Sequence, residues 1–426
     1  MFNKKVQIKL SKNISQPSIA ILKFTQEEYK ELECWKGINN ELYLIDETTN
    51  VELNCQISPY GMGATPEEIE TEYNMFILVN NMDLNMDEKV YTFLIMSREK
   101  EEVVLPDGHA YNPWAKTTGV FLDNQESNAR TIVSIGGKLF TRYLYSHELM
   151  KPYYYPLIGP QAKSLIQDGP DDHLHHHGLW WGHDGVNGHQ LYHEFRGEGR
   201  QSHIKFLAHF GGTVIGQITD VIDWCSAKGE RLLKETRTMR IYNLPNEARY
   251  IDVCSQLHAT DGDVQFSNTK EGGFPFIRVN EQLSVLHTGT ITSSTGKKGE
   301  KELMGQEADW VDYSGKLLDV DYSGIFLNGV ELKDKVPVKT NIDVGIAIFL
   351  HPDSDDYPTK WFVRNSGAFT SSNFHFGNGY RLTSGNKYTF KQRIYIHTGS
   401  CEESNMAKNY EEYKNPLVAI YKLIAK

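Results

Sequence analysis

A chain of 426 residues, 39% hydrophobic and 23% charged, has the make-up of a globular protein with room for one large core and an accessory module. Its formal net charge of −11, with no dense Lys/Arg stripe interleaved with aromatics, argues against nucleic acid as a partner, and no window approaches the ~18 apolar residues of a membrane helix. Five scattered cysteines without a CxxC pair suggest neither a zinc ribbon nor a disulfide framework, and MFNKKVQIKLSKNIS has no apolar run behind its basic residues, so a reducing, cytoplasmic setting is expected.

Aromatic residues reach 12%, and period-2 alternation runs through most of the chain, which together predict sheet. VQIKL (6–10), SIAILKF (18–24), ELYLID (41–46), FILVNN (76–81) and VYTFLIM (90–96) read as strands. Charge, proline and glycine then dominate REKEEVVLPDGHAYNPW (98–114), which predicts a boundary and a small β module over 1–105, followed by a second domain over 106–426. In that second part, RTIVSIGG, FTRYLYS, HIKFLAHFGG, TVIGQITDVIDWCS, RLLKETRTMRIYN, RYIDVCSQLHA and VQFSN repeat the alternation. GIAIFLHP, KWFVRN and KYTFKQRIYIHTG continue it. Strands this frequent, with few helices between them, predict an all-β fold built as a large antiparallel β-sandwich. QAKSLIQ (161–167) reads as a brief helix, and the tail SNMAKNYEEYKNPLVAIYKLIAK as an amphipathic helix broken at Pro416.

Residues 171–194, DDHLHHHGLWWGHDGVNGHQLYHE, hold seven of the sixteen histidines, with two adjacent tryptophans, four glycines and four carboxylates. Imidazoles bind metals or move protons near neutral pH, and indole faces stack on sugar rings. If residues 172–177 are extended, His173, His175 and His177 share one face while Asp172, Leu174 and His176 share the other. Such side chains can converge on one divalent metal or one ligand: two of His173, His175 and His177 could be ligands, with others from His183, His189, His193, Glu194 or a distant strand and with Asp172 or Asp184 fixing the ring tautomers. Trp180 and Trp181 would point to opposite sides, Trp181 lining a cleft and its neighbour packing in the core.

Further on, NTKEGGFPFIRV (268–279) places Glu271 before a Gly-Gly turn, where it suits a general base, with Lys270 and Arg278 close by. EADWVDYSG (307–315) brings Trp310 into an acidic-aromatic mixture fit for a cleft rim. HPDSDDYPTKWFVRNSG (351–367) brings Trp361 and Arg364, and SSNFHFGNG (371–379) adds His375. Asp353, Asp355 and Asp356 lack the EF-hand pattern and read as a solvated loop. There is no GxSxG, P-loop or dinucleotide fingerprint, so no nucleotide cofactor is expected.

Taken in order, KPYYYPLIGP, DDHLHHHGLWWGHDGVNG, NTKEGGFPFIRV, GQEADWVDYSG and GIAIFLHPDSDDYPTKWFVRNSG resemble the bacterial PmoA-like family across roughly residues 100–400. The resemblance implies a galactose-mutarotase-like supersandwich and a place beside sugar-oxidoreductase and glycan-use genes. The family is often labelled methane oxygenase, a label at odds with a chain that has no membrane segment. Its usual Asp-His-Pro-His-His-Arg-Gly is altered here, with Leu174 in place of the proline and His177 in place of the arginine.

The expected function is that of a carbohydrate-active enzyme (hydrolase, lyase or epimerase) working by proton transfer on a small-molecule sugar. His173, His175, His176 and Glu271 are the expected catalytic groups. Asp172, Trp181, His183, Asn187, Arg278, Trp310, Trp361, Arg364 and His375 are the expected substrate contacts. Two alternatives stand beside it: a metal-dependent cupin-like oxygenase using the same histidines, and a sugar-binding protein without catalysis. The sequence names neither the sugar nor an oligomeric state.

Overall fold

The computed structural model describes residues 5–9, 17–36, 40–46, 48–62, 71–79, 90–99, 103–104, 110–111, 119–195, 197–245, 248–317, 343–370 and 379–418. Three large sheets account for most of them. An eight-stranded sheet runs Arg200–Phe210, Ile215–Cys225, Arg231–Tyr242, Arg249–His258, Lys387–Thr398, Asp343–Leu350, Trp310–Lys316, Thr290–Ser293, each strand antiparallel to the next. An eleven-stranded sheet carries the order Phe362–Val363, Ala368–Thr370, Gly272–Arg278, Leu179–Val186, Tyr153–Leu157, Lys138–Leu144, Arg130–Ile135, Val120–Gln125, with three short strands attached at one end. The largest core lies between these two, filled from one side by residues such as Trp181, Ile277 and Val133 and from the other by Ile218, Met239 and Ile394. The protein is therefore an all-β antiparallel sandwich.

The third sheet has seven strands. Its order is Lys5–Lys9, Val90–Glu99, Asn40–Ile45, Glu52–Tyr60, Thr71–Val79, Ser18–Lys23, Leu417–Val418. The last strand comes from the far end of the chain and pairs in parallel, Ala20 with Leu417 and Ile21 with Val418. The edge of the N-terminal module is thus built by residues outside 1–105. One helix, Gln26–Lys36, buries Tyr29 and Leu32 against this sheet.

Alternation along the sequence becomes alternation in burial only where one face is wetter than the other. Arg130–Ile135 buries every second residue, whereas Ile215–Cys225 and Arg231–Tyr242 are buried on nearly all positions. The eight-stranded sheet is covered twice. One face meets the eleven-stranded sheet; the other meets Phe76 and Leu78 of the N-terminal module and Met406, Tyr410 and Tyr413 of the helix Met406–Lys414. Polar residues in these strands must then be paired inside the protein. Glu235 and Arg237, both fully buried, bond each other at 2.7 Å, and Glu235 also accepts from Trp224 Nε1 and Ser255 Oγ.

Two sequence expectations fail locally. QAKSLIQ is not a helix: after a short 3-10 turn at Pro160–Ala162, isolated bridges join Ser164 to Ile158 and Ile166 to Val279, and Leu165 is fully buried. The apolar positions that mimic a helix face are there to seat a loop on the core. In the tail, the helix ends at Lys414, and after Pro416 the chain enters the parallel strand Leu417–Val418 instead of a second helical stretch.

Candidate functional site

The histidine-rich segment is a series of tight turns, not a strand, and this changes which rings meet. His173 N donates to Pro170 O (2.8 Å), His176 N to His173 O (3.0 Å) and Gly169 N to His176 O (2.9 Å). Gly169 (φ +56°) and Gly178 (φ +70°) take left-handed conformations at its ends. Winding brings His173, His175 and His176 together, with ring centroids 5.7 Å (173–175), 4.5 Å (173–176) and 4.6 Å (175–176) apart.

His177 leaves this group. Its Nδ1 lies 2.6 Å from Asp168 Oδ1 and its Nε2 2.9 Å from Glu194 Oε2, and the ring stacks on Tyr153 at 4.5 Å. Burial works against its charged form, but the two carboxylates outweigh burial and raise its pKa. With both ring nitrogens taken, His177 does not join His173 and His175 as a ligand; the extended-strand geometry that grouped them is not formed.

The turn rests on the outer face of the eleven-stranded sheet. There a small aromatic cluster includes Trp180, Tyr192, Phe276 and Phe362. His176, 4% exposed, stacks on Trp180 at 4.9 Å. Its Nδ1 faces Arg278 Nη1 at 3.4 Å and its Nε2 lies 3.0 Å from the Tyr192 hydroxyl. A guanidinium has no acceptor, so Nδ1 accepts and the ring proton sits on Nε2, donating to Tyr192. The Tyr192 hydroxyl keeps its own proton to give. Burial first, then neighbouring imidazoles and Arg278, drive the His176 pKa far down, so the ring is neutral.

Arg278, 4% exposed, is clamped by both oxygens of Asp172 at 2.9 and 2.8 Å. Burial disfavours the Asp172 carboxylate, but its bonds to Arg278 and His173 hold it below its ordinary range. His175 is half-buried; burial, then the charge of Lys151, lowers its pKa to about 4. Lys151 is itself buried, with Nζ 2.6 Å from Tyr192 O and 3.1 Å from Glu194 Oε1.

A cavity of about 420 Å³ opens above these groups. His173, His175, His176, Glu271, Arg278 and Arg364, all singled out in the sequence, line it together with Tyr192, His193, Lys270, Glu300 and Phe362. Arg364 Nη1 bonds Glu300 Oε1 at 2.6 Å. Glu271 sits just before the strand Gly272–Arg278. The two glycines open that strand instead of forming a turn, because they allow close packing on His183 and Phe276.

Several expected contacts lie elsewhere. Trp181 is fully buried in the sandwich core with the Arg237 guanidinium 3.8 Å from its ring; its neighbour Trp180 is the one beneath the cavity. Which of two adjacent residues faces which side is set by register, which alternation alone leaves open. Trp361 is fully buried and donates to Ala308 O; Trp310 packs in the core beside the C-terminal helix. His183 is fully buried against Phe266 and Phe274. Asn187 shapes a tight turn (φ +50°), its Oδ1 accepting from Gln265 N. His375 falls outside the described residues. Among the described residues, no helix is long and apolar enough to cross a membrane.

The fold and site define a β-sandwich protein with an imidazole-lined cavity on one sheet's outer face. Residues 130–411 match the model of a family of unknown function, DUF6807, and the chain belongs to that family. No curated protein matches the sequence. Among solved structures that match is one described as a kojibiose phosphorylase, from the human microbiome, with a TM-score of 0.27 and 10% identity over 74% of this chain. The match covers 35% of that structure, so this chain spans about a third of its length. At that score the likeness assigns no chemistry here.

Proposed function

We propose that the protein is a carbohydrate-active enzyme that transfers a proton on a glycoside or modified sugar held in the imidazole-lined cavity. The observation that carries this reading is the convergence of His173, His175 and His176 with Glu271 in one cavity of about 420 Å³, within the ~300–1,000 Å³ range of small-molecule sites. His175 is the group placed to accept a proton, since it is uncharged and reaches the cavity. Tyr192 is placed to give one. Arg364 and Lys270 supply positive charge beside an oxygen that becomes negative in the transition state.

The rim favours a ligand with both hydroxyl-rich and apolar faces. Of the four large hydrophobic side chains exposed among the described residues, Leu286 lines the cavity and Phe195 stacks on His193, which also lines it. Phe362 and Tyr192 replace the tryptophans expected to support a sugar ring. The motif order that resembles the PmoA-like family, with its glycan-use neighbours, points the same way. His177 is committed to Asp168 and Glu194, so a cupin-like site that grouped it with His173 and His175 on one ion is the less favoured reading.

The test is a panel of glycosides and their oxidised keto derivatives, with products read by mass spectrometry. Wild type should turn over at least one member, and His175→Ala should lose about 10²–10⁴-fold in rate with sugar affinity kept. Sugar binding without any product in wild type would leave a binding protein and overturn the enzymatic reading.

A further inference from the structure

We propose that Asp184, His193 and Glu271 form a divalent-cation site at the edge of the imidazole cavity, of the kind that takes zinc or manganese. This deepens the reading above and rests on it for its role, since the cation would bind a hydroxyl or carbonyl oxygen of the sugar.

One donor atom from each of the three residues lies within 4.8 Å of the others, and all three side chains are only partly covered. The His193 Nε2 to Glu271 Oε2 separation is 3.8 Å. That is too long for a hydrogen bond and close to the spacing of two ligands sharing one ion: atoms ~2.1 Å from a metal stand about 3–3.5 Å apart. The protein does not leave histidine and carboxylate apart where it pairs them. The other described pairs whose carboxylate is at least half-covered close to hydrogen-bond distance: His173–Asp172 at 2.9 Å, His177–Asp168 at 2.6 Å, His177–Glu194 at 2.9 Å, His203–Asp220 at 2.6 Å and His397–Asp312 at 2.9 Å.

The backbone ties Asp184 to Glu271 without using their side-chain donor atoms. Asp184 N donates to Glu271 O at 2.8 Å, which fixes the end of the strand Leu179–Val186 to the residue preceding Gly272. The pairing of that strand with His189–Gln190 shifts register between Asp184 and Val186, and Gly185 there has φ +111°. Such an irregularity re-aims a side chain that regular pairing would send elsewhere. Lys270 Nζ lies 4.0 Å from Glu271 Oε1, and its side chain is half-exposed.

One imidazole and two carboxylates suit zinc or manganese better than a thiolate-preferring ion. Three protein ligands leave coordination positions open, and the cavity lies on that side, lined by His193 and Glu271 themselves. The His175 ring, 4.7 Å from that of His193, stands beside the ion where it can take a proton from a bound hydroxyl. Glu271 then acts as a ligand and not as the opposing base. The site differs from the His173, His175, His177 set, because His177 faces two carboxylates on the other side of the turn.

The experiment uses the full chain stripped with chelator and titrated with Zn²⁺ or Mn²⁺ alone, by calorimetry and, for Mn²⁺, by electron paramagnetic resonance. Wild type should bind one equivalent. Asp184→Asn and Glu271→Gln should each weaken binding more than about 100-fold, beyond the ~10–100-fold that loss of an outer-shell partner costs. His177→Gln should bind as wild type, and near-ultraviolet circular dichroism should show all three variants folded. Failure of wild type to bind at millimolar cation, or binding that survives both substitutions, overturns the site. The two readings fail separately: binding with no sugar turned over leaves the site standing alone, whereas full turnover by stripped protein leaves the enzyme without the ion.

Discussion

His177 shows how one residue's partners decide its role. It stands between Asp168 and Glu194, whose carboxylates raise its pKa, and stacks on Tyr153, while His173, His175 and His176 open onto the cavity. Its folded-state pKa is raised above the ordinary ~6.5, so its contribution to stability is complete below that value and is lost as pH climbs through the folded value. Wild type should therefore exceed His177→Gln in urea midpoint at about pH 6, and the gap should narrow by about pH 9. A gap that stays constant across that range would mean the ring is not held as a cation. The density of histidines, and with it the place of the candidate cavity, was legible in the sequence. Its grouping was not, because a strand and a run of turns place alternate and adjacent residues differently, and DDHLHHHG carries no alternation of apolar residues to tell them apart.

At the scale of elements, the strand Gly272–Arg278 positions both ends of the site: Glu271 precedes it and Arg278 closes it. Gly272 pairs with His183, and a Cβ there would overlap the buried His183 ring; a Cβ at Gly273 would overlap Phe276. Neither ring has room to yield. Gly272→Ala should cost about 1–3 kcal/mol of stability and weaken cation binding by displacing Glu271, both measurable on one sample by denaturation and titration. The doubly covered eight-stranded sheet sets a second expectation. Arg237→Met would strand Glu235, fully buried, without its partner, for a loss of about 3–5 kcal/mol, whereas replacing both by apolar residues should recover much of it. Equal losses in the single and double variants would refute that account. Strands like these were visible from alternation, but their second covering was not, since it comes from residues far away in the chain. The helix Gln26–Lys36 did carry a local signal, Thr25-x-x-Glu28: Thr25 N donates to Glu28 Oε2 at 2.8 Å, and Glu28 N to Thr25 Oγ1 at 3.3 Å.

At the scale of the whole molecule, the N-terminal sheet is bonded to and packed on the sandwich across the boundary expected near residue 105. Gln56 Oε1 accepts from Val214 N at 3.0 Å and Ile215 N at 2.9 Å, Tyr60 O accepts from Arg240 Nη2 at 3.1 Å, and Thr213 Oγ1 donates to Cys55 O at 3.2 Å. Phe76, fully buried, packs in one cluster with Val214, Ile215 and Tyr242 and has the Arg240 guanidinium 4.7 Å from its ring. The strand Leu417–Val418 then ties the end of the chain to the same sheet. A break in composition such as REKEEVVLPDGHAYNPW says nothing of whether the sheet before it can part from the next. Phe76→Ala should cost about 3–5 kcal/mol, and Gln56→Ala, which leaves two backbone N–H groups unpaired, about 1–3 kcal/mol for each group. Neither residue lines the imidazole cavity. In calorimetry both variants should therefore lower one cooperative transition for the whole chain while leaving sugar and cation affinity in the folded protein unchanged. A separate early transition in Phe76→Ala, with the remaining sandwich melting where wild type does, would show that the two lobes fold independently.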